Sequence, residues 1–481
     1  MLSLKTILEH LEPEDIRCYT VWTKRTRSDK ERLDLELVTY IKKNKTEDEF
    51  IREYYANNRN AYYRLKNKVV EDIGKSLVIQ YWNKDEWIKL VNLVCIARLY
   101  HQKQLFNLSL HQLEKAEKLA FQLEDPQLID WVLTEIIRMG SYLNIKQLTN
   151  SIAKRNENRK LLFKLHQIDD ITALLENRIR TTQNLTNKDQ SVIDWVNNYI
   201  DSLEDIQDDI KKSRTLRFKI AKIIVRVLVQ EKKYADLENY LKENIDYLKS
   251  SGFFTQSNYK EFLELMIYLL NAMYYNKKYQ ECLTYSAHFL NALEQFDRLY
   301  YSNYIFYYYN NLINIYSAID PLKALATIDE YEKKEKVNKD SYNYFYILIQ
   351  RMMLKYQLNN LTNALKTITK IKVHPFYEKI DRELQIKLYV SELMLNCEDD
   401  EMFKVKNLLK DAPYWLRDIK KQKPQNHLHV VVNIIQSIAE KQSKSKGLVK
   451  SLLSLTSQEI GIDENFISIS LWAKRLLQKI S

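Results

Sequence analysis

The chain has 481 residues, more than one ordinary core can use, so it is either several domains or an elongated repeat. Its 45% hydrophobic and 28% charged residues are a globular balance that excludes a disordered chain. Five glycines argue against folds built on hairpins and phosphate loops and predict few turns of positive φ, while a net charge of +11 is weak evidence for a nucleic-acid partner, because lysines spread over helix surfaces give the same total.

Helical periodicity dominates from the start. Short helices are expected around Leu4 to His10, Glu14 to Thr26, Lys30 to Lys43 and Thr46 to Tyr55, with Thr46 and Glu49 forming a capping-box pattern. A longer helix follows from about Asn60 to Trp82. "DEWIKLVNLVCIARLYHQKQL" and "LSLHQLEKAEKLAFQLED" then read as a helix hairpin. Pro126 opens the next helix, "QLIDWVLTEIIRMGSYL", where its missing N–H costs nothing, and Gly140 falls inside that pattern. Helices resume from about Lys146 to Asn177. The turn-rich "TTQNLTNKDQS", Thr181 to Ser191, is the best break between two halves. A second family of helix pairs runs from Val192 to Arg417, and further amphipathic helices end at Lys479. The expected organisation is an N-terminal helical domain (1–82), a first helical-repeat segment (83–180), a repeat array (192–417) and C-terminal capping helices (418–481).

Four segments of the array align with one another: "VLVQEKKYADLENYL", "MYYNKKYQECLTYSAHFL", "IYSAIDPLKALATIDEY" and "KYQLNNLTNALKTITKI". Each is the end of one helix, a short polar turn and the start of the next. A small or apolar residue recurs at Leu237, Cys282, Ala324 and Ala364, at spacings of 45, 42 and 40 residues. On these residues the chain resembles the tetratricopeptide-repeat (TPR) family. In "LLNAMYYNKKYQECLTYSAHFL", Leu269, Tyr279 and Cys282 stand where that pattern has its leucine, turn aromatic and small residue, and Ala324 and Ala364 supply its alanine. The period is longer than the family's roughly 34 residues, and Leu270 replaces its small first-helix residue. The first 80 residues and the paired helices also look similar to bacterial TPR-like proteins of unassigned function. The resemblance implies an all-α, right-handed α-solenoid of TPR-like antiparallel helix pairs. One pair cannot bury its apolar faces alone, so neighbours stack and leave a concave surface lined by the first helix of each pair. Such surfaces hold extended peptides or helices.

"YYSNYIFYYYNN", Tyr300 to Asn311, tests that implication, being half tyrosine and uncharged. On a helix, Tyr301, Ile305, Tyr308, Leu312 and Ile315 form one apolar strip, and Phe306, Tyr309, Ile313 and Tyr316 a second. Most of the tyrosines are therefore core. Asn303, Tyr307, Asn310 and Asn314 form the remaining strip, and their amides can grip a peptide backbone without regard to its sequence. The neighbouring first helices offer Glu264, Tyr268, Asn271 and Tyr275 on one side, and Tyr342, Tyr346, Gln350 and Met353 on the other. These strips are the candidate partner groove; the competing reading makes them the wetted face of a repeat.

The sequence carries no recognisable catalytic motif. "GKS" at Gly74 to Ser76 lacks its upstream glycine, which would be Val69. His427 and His429 stand on different helix faces, and the acids of Asp201 to Asp209 lack the glycine and terminal glutamate of a calcium loop. No metal or other cofactor is expected. Four distant cysteines and an acidic N-terminus without an apolar run predict a reduced, cytoplasmic protein. Residues 401–481 carry 14 Lys and Arg against 7 Asp and Glu, so "RDIKKQKPQ" and "KQSKSKGLVK" are weighed as anionic contacts against plain exposed turns. The expected function is a non-enzymatic interaction scaffold with a protein or peptide partner. The alternative is a transcriptional regulator in which Arg59, Arg64, Lys66 and Lys68 of "NRNAYYRLKNKVVEDI" face DNA while the repeats sense a peptide. Oligomeric state is not readable from the chain.

Overall fold

A computed structural model describes residues 4–26, 32–43, 46–56, 58–182, 210–211, 213–335, 337–410, 427–440, 446–456 and 466–480. Among them every regular element is helical, with no strand. The acidic cluster 201–209, the basic segment 417–425 and most of the 181–191 break lie outside the described residues.

Two compact units are present. The first comprises residues 1–171, 196–221 and 252–259; the second comprises 172–195, 222–251 and 260–481. In the first, α1 (Leu4–His10), α2 (Pro13–Thr26), α3 (Leu33–Lys42), α4 (Glu47–Tyr55) and α5 (Arg59–Tyr81) close on Leu37, Phe50 and Tyr62, all fully buried. The capping box forms as the sequence predicts: Glu49 N–H donates to Thr46 Oγ1 at 3.3 Å, and Thr46 N–H to Glu49 Oε2 at 3.0 Å. α6 (Glu86–Gln102), α7 (Phe106–Leu123) and α8 (Pro126–Arg138) share a second core around Val94, Ala116 and Val132. α9 spans Ile145–Thr182. The expected helix through Gly140 ends earlier. α8 stops at Arg138, and Gly140 opens a single 3₁₀ turn, where an added Cβ would stand 3.4 Å from Leu148 Cδ1.

Helix pairs follow: α10 (Arg214–Gln230) with α11 (Tyr234–Ser250), α12 (Tyr259–Tyr275) with α13 (Tyr279–Leu293), α14 (Tyr301–Ile319) with α15 (Pro321–Lys334), and α16 (Tyr342–Gln357) with α17 (Leu361–Lys372). The four aligned residues Leu237, Cys282, Ala324 and Ala364 each sit fourth in a second helix, and none is more than 1% exposed. That is where a side chain must be small or apolar to let the first helix of its own pair approach. Polar contacts between successive pairs recur near one separation. Lys242 to Glu281, Lys278 to Glu238, Tyr304 to Glu264, Gln350 to Asn310 and Gln357 to the Ser317 carbonyl are separated by 39 or 40 residues, Asn276 to Glu238 by 38 and Gln350 to Asn314 by 36. Separations near 40 residues match one helix pair per step of a repeat.

The scarcity of positive φ expected from the glycine content is corrected by the turns. Gln104, Lys232, Lys277, Asn359 and Asp400 adopt φ of 57–60°, each just past the end of a helix. In every case the next N–H returns to the carbonyl five residues back, as in Lys278 N–H to Met273 at 3.0 Å and Asn360 N–H to Lys355 at 2.9 Å. This is the six-to-one bond of a Schellman cap, normally a glycine position. Here non-glycine residues absorb the left-handed cost, on the order of 1 kcal/mol each. The α14–α15 turn differs: Asp320 accepts from Lys323 N–H at 3.1 Å, and Pro321 starts α15.

α18 (Arg382–Glu398), α19 (His427–Ala439), α20 (Lys446–Thr456) and α21 (Ile469–Ile480) end the second unit. Trp472 is fully buried, and its Nε1 donates to the Met394 carbonyl at 3.0 Å. Lys479 donates to the carbonyl of Glu398, so the last helix is tied to α18 along its length. Among the described residues no helix is long and apolar enough to cross a membrane.

Candidate functional site

α14 exists as a helix although tyrosine and asparagine favour it weakly, so burial must hold it. Ile305, Phe306, Tyr309, Ile313 and Ile315 are buried, and Tyr301, Tyr308, Leu312 and Tyr316 are half-buried. The two broad strips thus pack on both sides. The third strip grades along the helix: Asn303 and Tyr307 are exposed, Asn310 and Asn314 half-buried.

Gln350 of α16 joins that strip. Its Nε2 donates to Asn310 Oδ1 at 2.8 Å and to Asn314 Oδ1 at 2.9 Å. Gln350 is 6% exposed, and its Oε1 meets no donor among the described residues. A buried carbonyl left so costs about 1–3 kcal/mol. Tyr346, one helical turn earlier, is half-buried and meets Phe306 edge to face at 6.4 Å. Tyr342 is exposed against Phe376, and Met353 is half-buried. On α12, Glu264 accepts from the Tyr304 hydroxyl at 3.4 Å and lies 3.7 Å from Lys222 Nζ. Burial first, then the Glu264 charge, pushes the Tyr304 phenol up to about 12. Tyr268 is half-buried and Asn271 exposed. Tyr275 spends one ring face on Tyr234, stacked at 4.2 Å. Named bonds therefore join α12 to α14 and α14 to α16, and Asn310, Asn314 and Gln350 form one cluster.

The sequence reading missed Asn311. It is 3% exposed and accepts from Ser286 Oγ at 2.8 Å and Cys282 Sγ at 3.5 Å. The signal was present: Asn311 stands three residues after Tyr308 and four before Ile315, inside the first apolar strip. Burial pushes the Cys282 thiol up to about 11, so it is an inert core group.

The four basic residues of α5 do not share a face. Arg59 and Lys66, seven apart, turn toward α4, where Arg59 meets Asp48 at 3.3 Å and Lys66 meets Glu47 at 2.7 Å. Arg64 and Lys68 are exposed on the opposite side. Gly74 and Ser76 lie within α5, with the Ser76 hydroxyl donating to the Ile73 carbonyl at 2.8 Å. A cleft of about 380 Å³ beside α8 holds Trp131, His166, Arg98 and Arg138. Both arginines bind the buried Glu135 carboxylate at 2.7 Å, which commits much of their charge internally. His429 Nδ1 lies 3.2 Å from the Asn433 amide. No group of three or more His, Cys, Asp or Glu suited to a metal occurs among the described residues.

No protein-family model matches the chain, and no curated protein matches it significantly. What the fold and site define is a class: an all-helical protein of repeated pairs with a neutral amide cluster between two first helices.

Proposed function

We propose that the chain is a non-enzymatic scaffold, a right-handed TPR-like α-solenoid that holds a protein or peptide in a concave groove lined by α12, α14 and α16, in the cytoplasm. The observation that carries this is the Asn310–Asn314–Gln350 cluster. It is neutral and rich in donors and acceptors, and it continues toward exposed Asn303 and Tyr307. Such a row binds the backbone of an extended chain, which offers an N–H and a C=O at every residue. The contact register of about 40 residues supports stacking of the pairs that a groove needs.

The test is capture of a partner from lysate, its identification, and a binding isotherm with the purified pair. Asn310→Ala with Asn314→Ala should weaken binding at least tenfold while the thermal melt stays cooperative. Undiminished affinity in the folded double variant removes the groove.

A further inference from the structure

A cavity of about 280 Å³ lies where the ends of α14 and α16 meet the start of α21. Asn314 and Gln350 belong to its wall, with Gln357, Met353, Phe466 and Leu471. None of its twelve lining residues carries a charge, in a chain of which 28% is charged. A charged ligand group would therefore be desolvated without a counterion, which is strongly unfavourable. The volume lies just below that of cofactor and drug sites, about 300–1,000 Å³, and suits one apolar side chain with part of its backbone. Its walls are held in place. Gln357 Nε2 donates to the Ser317 carbonyl at 3.1 Å, pinning the two helix ends, and the Tyr356 hydroxyl donates to Glu398 at 2.6 Å.

We infer that this cavity is the anchor pocket of the proposed groove, taking an uncharged apolar side chain (leucine, methionine or phenylalanine) of a peptide whose flanking backbone meets the amide cluster. The inference rests on the peptide-binding reading above and adds the chemistry of the ligand. Gln350 supports it by fixing the cluster: its Nε2 serves Asn310 and Asn314, both half-buried, with Asn314 in the cavity wall. A peptide group both donates and accepts, so it can meet those asparagine amides in either orientation.

The experiment selects phage-displayed random 12-residue peptides on the full-length chain. Enriched peptides should share one apolar residue with uncharged neighbours. Replacing that residue by aspartate in the synthetic peptide should weaken binding at least tenfold, as should Ala318→Trp at the cavity wall, with an unchanged melt. Met353→Ala, which enlarges the cavity, should shift preference from leucine toward phenylalanine at least threefold, a change misfolding would not produce. Peptides that bind equally well with aspartate at the anchor and to Ala318→Trp overturn the pocket while leaving the groove standing. Enrichment of no peptide overturns both.

Discussion

Two junctions between successive helix pairs solve the same problem with different chemistry. At the α11–α12–α13 junction, Glu238 is 1% exposed and its carboxylate accepts from Lys242 at 2.7 Å, Lys278 at 2.8 Å and Asn276 at 2.7 Å. Burial opposes its ionisation, but those three hydrogen bonds outweigh it and hold the pKa down at about 2. At the α14–α16 junction the groups are neutral and the count does not close, because Gln350 Oε1 is unmet. A saturated ionic clasp fixes spacing and has nothing left for a ligand. The amide cluster keeps the half-buried Asn310 and Asn314 amides at its rim, and that is the reason for proposing the site there.

The largest expected effect is at the clasp. The pKa of Glu238 falls from 4.5 to about 2 on folding, so its contribution is fully present above pH 4.5 and is lost as pH drops toward about 2. Glu238→Gln should therefore cost about 3 kcal/mol at pH 7, measured by urea unfolding, with the gap narrowing as the pH approaches 2. A gap independent of pH would mean that the carboxylate is not held ionised. Gln350→Leu should change stability by less than about 1 kcal/mol, since it deletes an unmet carbonyl together with two hydrogen bonds. A loss as large as that of Glu238→Gln would make the amides a second clasp and dissolve the contrast. The smallest effect belongs to the turn beside the clasp. Lys277→Gly should raise stability by about 0.5 kcal/mol by relieving a left-handed residue, visible as a higher denaturant midpoint.

Helix positions were legible because their signals are local. Thr46 and Glu49, Pro126, and the period of α14 all act within one or two turns of chain, and the aligned Leu237, Cys282, Ala324 and Ala364 mark the buried fourth position of each second helix. The turns were misjudged because glycine is only the easiest residue for positive φ. Lys277 and Asn359 reach it when the hairpin geometry demands it. At the candidate site, the residues of α14 could be grouped by face, but the bonds from Gln350 depend on how two helices 36–40 residues apart are registered. Asn311 was placed in no strip, although its helical phase, between Tyr308 and Ile315, points inward.

Three of the four thiols supply the molecule with an internal clock. Cys95 is exposed, whereas Cys282 and Cys397 are buried, and burial pushes their pKa values up to about 11 and about 12. A thiol-specific reagent at neutral pH should therefore modify Cys95 in the native state, and reach Cys282 and Cys397 only when the second unit opens. Mass spectrometry of the two slow adducts would time that opening at native residues, and a bound partner that clamps α12 to α16 should retard the adduct at Cys282.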